Sequence, residues 1–114
     1  MSIKSIPNAA SRFKTIYIAG PMTGYKDLNF PAFDKAADEF RLNGWTVLNP
    51  ADHGVIDGAT WEDYLRFDIT KLIQCDSIYM LEGWQDSKGA QLEYLIAERL
   101  EMNILYQQRF VEVA

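Results

Sequence analysis

Four short apolar runs, each separated from the next by a stretch with helical spacing, constrain this chain more than any other feature. Residues Thr15 to Ala19 (TIYIA) read as a strand. Residues 29–42 follow as a helix, with Asn29 at the cap, Pro31 in the first turn, and Phe33, Ala37 and Phe40 at helical spacing. Asn43-Gly44 ends that helix, residues 45–48 (WTVL) form a second strand stopped by Asn49-Pro50, and residues 54–58 are a turn-rich loop. Thr60, with Asp63 three residues on, caps a second helix running to about residue 74. Residues 77–81 (SIYML) are a third strand, 82–88 a loop, 89–101 a helix and Asn103 to Tyr106 the last strand.

A β-α-β-α-β-α-β order predicts a mostly parallel sheet with helices on both faces, because each helix must carry the chain back to the same end of the sheet. The expected fold is therefore α/β: a single-domain, Rossmann-like or flavodoxin-like three-layer sandwich with four to five strands. Sheets of this kind bind ligands beyond the carboxyl ends of their strands. Three loops, at 20–28, 49–59 and 82–88, converge there.

At 114 residues the chain fits one modest core. The expected division is a flexible polar lead-in over 1–13 and an α/β domain over 14–114. Sixteen acids against eleven bases give a net charge of −5, which argues against a surface that tracks a nucleic-acid polymer. A single small anion is still compatible, since helix N-terminal N–H groups hold one without net positive charge. No run reaches the roughly 18–20 apolar residues of a membrane span, so no membrane partner is expected. The lone Cys75 excludes an intramolecular disulfide framework and fits a reducing compartment; a cytoplasmic location follows as the expectation. His53, Asp52, Asp57 and Cys75 form no metal-binding spacing, so neither metal nor cofactor is expected; for His53 a surface role is preferred over a substrate contact.

Two acids fall in unusual places. On a helical wheel Glu93 shares a face with Gly89, Ile96, Ala97 and Leu100, which directs it toward the sheet about one turn from the helix start. Asp68 lies on the shoulder of the stripe Trp61, Leu65, Ile69 and Leu72. Either acid is open to a structural reading, as a cap or a buried pair. Together, on neighbouring helices, they form a candidate pair for acid/base or nucleophilic work, since one environment can keep one acid ionised and the other protonated.

From Thr15 to Tyr106 the chain resembles the nucleoside 2-deoxyribosyltransferases and their relatives, the 2'-deoxynucleoside 5'-phosphate N-hydrolases. The resemblance is carried by "TIYIAGPMTG", the opening strand and glycine loop, by "DITKLIQCDSIYML", the block opened by an Asp, and by "SKGAQLE", the segment closed by a Glu. It implies that Glu93 is the nucleophile, Asp68 the acid/base and Tyr17 the residue that orients the nucleophile. Gly20, Pro21, Met22, Thr23 and Gly24 would surround a sugar or phosphate. Trp84 in its loop is open to two equal readings, stacking on a base or closing the loop over the core. The N-hydrolases have Ser six positions before the nucleophile, to bind a 5'-phosphate, where the transferases have Asp; Ser87 stands there, with Lys88 and Gly89 completing a phosphate cup.

Asp86, one position out of register, gives the transferase reading a foothold. The chain also departs from the pattern, with Gln91 in place of the segment's second glycine and Leu95 in place of the glycine two after the nucleophile. Gln91 is open to two readings, a ligand contact or a solvent-facing side chain. The resemblance thus implies an N-glycosidase acting on 2'-deoxynucleoside 5'-monophosphates, with base exchange or nucleotide binding without cleavage as alternatives. It also implies a homodimer or larger homo-oligomer, for which Trp61, Tyr64 and Phe67 supply aromatic surface or, equally, core.

Overall fold

The computed structural model describes residues 12–108. Most of the lead-in, residues 1–11, lies outside the described residues, as does 109–114. Four strands, β1 (Thr15–Ala19), β2 (Thr46–Leu48), β3 (Ser77–Met80) and β4 (Asn103–Tyr106), form one all-parallel sheet in the order β2-β1-β3-β4. Three α-helices connect them: α1 (Phe30–Leu42), α2 (Trp61–Leu72) and α3 (Lys88–Arg99).

β1 is central and all five of its residues are buried, which explains its uninterrupted apolar character. Its side chains alternate between two cores. Ile16 and Ile18 pack with Phe33, Ala37, Val47 and Leu81 on one face, where α1 lies. Tyr17 and Ala19 pack with Leu72, Ile78, Met80, Ala90 and Ala97 on the other, under α2 and α3. The result is the expected three-layer α/β sandwich of Rossmann-like or flavodoxin-like type. The chain leaves β1 toward β2, then returns to β3 on the other side of β1, so the connections diverge at the carboxyl ends of β1 and β3. That divergence opens a crevice where ligands of such folds bind.

Local chemistry sets the boundaries. Thr60 Oγ1 accepts from Asp63 N–H at 3.1 Å while Asp63 accepts from Thr60 N–H at 3.0 Å, so the capping box forms. Asn29 precedes α1 but does not cap it with its side chain. Its backbone is left-handed (φ 62°) and its Nδ2 instead donates to the Pro21 carbonyl at 2.9 Å, tying the glycine loop to the helix start. The loop after β2 contains a 3-10 turn, Pro50–His53, opened by the Asn49 side chain, which accepts from Ala51 N–H at 3.1 Å. At Gly20 a side chain is excluded by the fold itself, because a Cβ there would meet Leu81 Cβ at 2.7 Å.

The helical stripes are narrower than the wheel implies. On α3 only Ala90, Glu93 and Ala97 are buried and Leu100 is exposed; on α2 only Asp68 and Leu72 are buried, while Trp61 is half exposed. Asp68 is thus a buried position of its helix rather than a shoulder. No helix among the described residues is long and apolar enough to cross a membrane.

Candidate active site

A cavity of about 340 Å³ opens at the crevice, lined by β1, the glycine loop, the loop after β2, and the sheet-facing sides of α2 and α3. Each acid reaches it from a different helix. Glu93 enters from the second turn of α3 and is 5% exposed; Asp68 enters from α2 and is 8% exposed.

The two carboxylates have different partners. The Tyr17 hydroxyl, buried on β1, donates to Glu93 in a short hydrogen bond. Asp68 faces His53 instead, with Oδ1 3.1 Å from Nε2. The approach is close enough for an ion pair but off the line of a hydrogen bond, so neither atom has a hydrogen-bond partner among the described residues.

Burial dominates the electrostatics. It pushes Glu93 up to about 8, helped by the charge of Asp68 and opposed by the hydrogen bond from Tyr17. It pushes Asp68 up to about 6, against the opposite pull of His53. Tyr17 is held well above its ordinary range by burial and then by the negative charge of Glu93 and Asp68, so it remains a donor at any physiological pH. Between about pH 6 and 8 the two acids hold one proton between them, and burial places it mainly on Glu93, so a nucleophilic Glu93 acts from the minor form in which that proton has passed to Asp68.

Of the other residues singled out from the sequence, Gly20, Met22, Thr23, Ser87 and Gly89 line the cavity. Ser87 caps α3, its Oγ accepting from Ala90 N–H at 3.2 Å. Pro21 lies behind the wall and holds Asn29 through its carbonyl. Gly24, Lys88 and Gln91 are outside the lining; Gln91 Nε2 donates to the Gln85 carbonyl. Trp84 is also outside, stacked on Tyr94 with ring centroids 4.7 Å apart and packed on the core under α3. An aromatic at that point closes the loop after β3 over the core. Cys75 is buried, its thiol pushed up to about 12 by burial, and plays no part in the cavity. No group of three or more metal-ligating side chains comes together among the described residues.

The residue whose place the sequence did not reveal is His53. It is not a surface side chain. Its ring is only 10% exposed, stacks on Tyr64 at 5.1 Å, meets Phe67 edge-on at 5.7 Å and lines the cavity. Tyr64 in turn holds the loop, its hydroxyl donating to the Ile56 carbonyl at 3.0 Å and accepting from Ile56 N–H. The available signal was position: a lone histidine in one of the three loops expected to converge.

A parallel sheet between two helical layers, with two buried carboxylates facing a cavity at its divergence point, defines the chain as an α/β protein of the three-layer class. The chain belongs to the family described as a domain of unknown function (DUF4406), whose pattern matches residues 14–106. Among solved structures it is similar to a 2-desoxiribosyltransferase from Leishmania mexicana, at 22% identity and a TM-score of 0.64 over 82% of this chain. The likeness is one of fold, and it spans 63% of that chain. No curated protein matches.

Proposed function

We propose that the protein is an N-glycosidase that cleaves the base–sugar bond of 2'-deoxynucleoside 5'-monophosphates, releasing free base and 2-deoxyribose 5-phosphate. The observation that carries this reading is Glu93: a buried carboxylate held by the Tyr17 hydroxyl, opening on a cavity that also presents Asp68.

A glycosidic bond breaks through an oxocarbenium-like transition state, so a carboxylate at the anomeric carbon stabilises the developing charge and traps it. In the first step a Glu93 oxygen bonds to C1', the C1'–N bond breaks, its electron pair leaves on the base, and Asp68 gives that base a proton. In the second step water adds its oxygen to C1', its proton goes to Asp68, and the ester bond to Glu93 breaks to restore the carboxylate. Tyr17 positions Glu93 and withholds one lone pair from solvent. Support for a 5'-phosphate comes from Ser87 and Gly89, which line the cavity at the N-terminus of α3, where free N–H groups favour an anion.

The fold likeness to a 2-desoxiribosyltransferase favours a second reading, in which another base rather than water resolves the glycosyl–Glu93 ester. The two share their first step and differ in the acceptor. A third reading, binding without cleavage, rests only on the sequence departures at Gln91 and Leu95, both of which lie outside the cavity lining. The test is release of free base from the four deoxynucleoside monophosphates and their nucleosides, with and without a second base. Hydrolysis of the monophosphates alone supports the proposal; exchange only when a base is added supports the transferase; binding with no release supports the third reading. A homo-oligomer in the cytoplasm is part of the proposal, and the exposed Trp61 and Phe67 on α2 supply apolar surface for it.

A further inference from the structure

His53 is fixed on every side. Its ring lies between Tyr64 and Phe67, and its two nitrogens face two different oxygens. Nδ1 is 2.6 Å from the carbonyl oxygen of Gly54, and Nε2 is 3.1 Å from Asp68 Oδ1. A carbonyl oxygen can only accept, so Nδ1 must carry the hydrogen. In a neutral ring that leaves a bare lone pair on Nε2, 3.1 Å from a carboxylate oxygen and off the line of a hydrogen bond. Two lone pairs at that separation repel unless a proton stands between them, held either by the ring or by the carboxyl.

Gly54 makes the arrangement possible. Its backbone sits at φ 64° and ψ −156°, a region open essentially to glycine, and this conformation leaves its carbonyl against Nδ1. A Cβ there would meet nothing within 4 Å, so the glycine serves the backbone angle rather than a close approach.

We propose that His53, the single histidine of the chain, is a positioning residue that shares one proton with Asp68, so that the acid/base unit of this cavity is the His53–Asp68 pair. The inference rests on the proposed reading of Asp68 as the proton donor, and adds the residue that sets its orientation and proton content. When the base departs, the pair loses one proton to it; when water attacks C1', the pair regains one. The other ionisable groups around Asp68 are Tyr17 from β1 and Glu93 from α3, and neither supplies positive charge. Tyr64, on the same helix as Asp68, stacks on the far side of the pair.

Because the chain has one histidine, long-range 1H–15N correlation spectra of the uniformly labelled full-length protein read this ring without ambiguity. The expected result is a ring protonated at Nδ1, with an Nε2 chemical shift at neutral pH that moves toward the bare-nitrogen value in Asp68→Asn, where the carboxylate that shares the proton is gone. A neutral ring protonated at Nε2, or an Nε2 chemical shift indifferent to Asp68→Asn, would overturn the proposal, whether or not the protein releases base. In the base-release assay, His53→Ala is expected to move the acid limb of the pH profile upward by about one unit and leave the basic limb in place. A uniform loss of rate with an unmoved profile would reduce His53 to a packing role. Absence of base release from the wild type would count against the glycosidase reading alone, because the spectra still decide the proton sharing.

Discussion

The hydroxyl of Tyr17, on the central strand, donates to the carboxylate of Glu93, on the last helix, 76 positions later in the chain. Both are buried, so the bond is worth more than a surface contact and its loss leaves a desolvated acceptor. Tyr17→Phe keeps the packing and removes the donor. It is expected to lower base release by about 10- to 100-fold and to move the basic limb of the pH profile upward, because the hydrogen bond favours ionised Glu93. Stability should change by only about 1 kcal/mol, read from urea unfolding.

The wild-type pH profile of base release is expected to be bell-shaped, with limbs near 6 and 8 and an optimum between them. Those limbs belong to the Asp68–Glu93 pair, raised above the ordinary carboxylate range by burial. Activity that is flat across this range would remove the pair from the rate-limiting chemistry.

Folding should weaken with rising pH. Both acids have higher values in the folded chain than in the unfolded one, so the folded state prefers them protonated. Their stabilising effect is complete below the unfolded values near 4 and is lost as pH rises, through about 6 for Asp68 and about 8 for Glu93. Glu93→Gln removes the larger cost. Urea unfolding at pH 4 and pH 9 should find the variant close to wild type in acid and more stable by about a few kcal/mol in base.

Gly20→Ala tests how the cavity wall is built. The added methyl would sit 2.7 Å from Leu81 Cβ, which is backbone-fixed and fully buried, so the end of β1 must shift. A loss of about 1–3 kcal/mol is expected in urea unfolding. At Gly54→Ala the methyl has room but the backbone angle does not suit it. That variant should therefore cost stability of about 1 kcal/mol or more through φ alone and release His53 from its carbonyl.

Much of the fold was legible because the sequence repeats one instruction: a short apolar strand, a turn, an amphipathic helix. The four strands, the three helices and the Thr60–Asp63 capping box all carry local signals of that kind. The inward direction of Glu93 was legible from helical spacing, whereas Tyr17 was singled out only by the family resemblance; with Ala19 it lies on the face under α3. What local pattern could not reveal depends on tertiary contact. His53 faces Asp68 only because the loop after β2 folds over α2, and Trp84 turns to Tyr94 because α3 places that ring 4.7 Å away as a stacking partner. Asn29 reads as a cap, but its backbone is left-handed rather than extended, its oxygen makes no cap bond, and its Nδ2 donates to the Pro21 carbonyl of the glycine loop.

The most direct measurement is the intact mass and peptide map of the protein acid-quenched during turnover of a deoxynucleoside monophosphate. One deoxyribosyl phosphate attached to the peptide that contains Glu93, absent in Glu93→Gln together with base release, is the predicted result. Sustained base release with no adduct, and undiminished in Glu93→Gln, would contradict it.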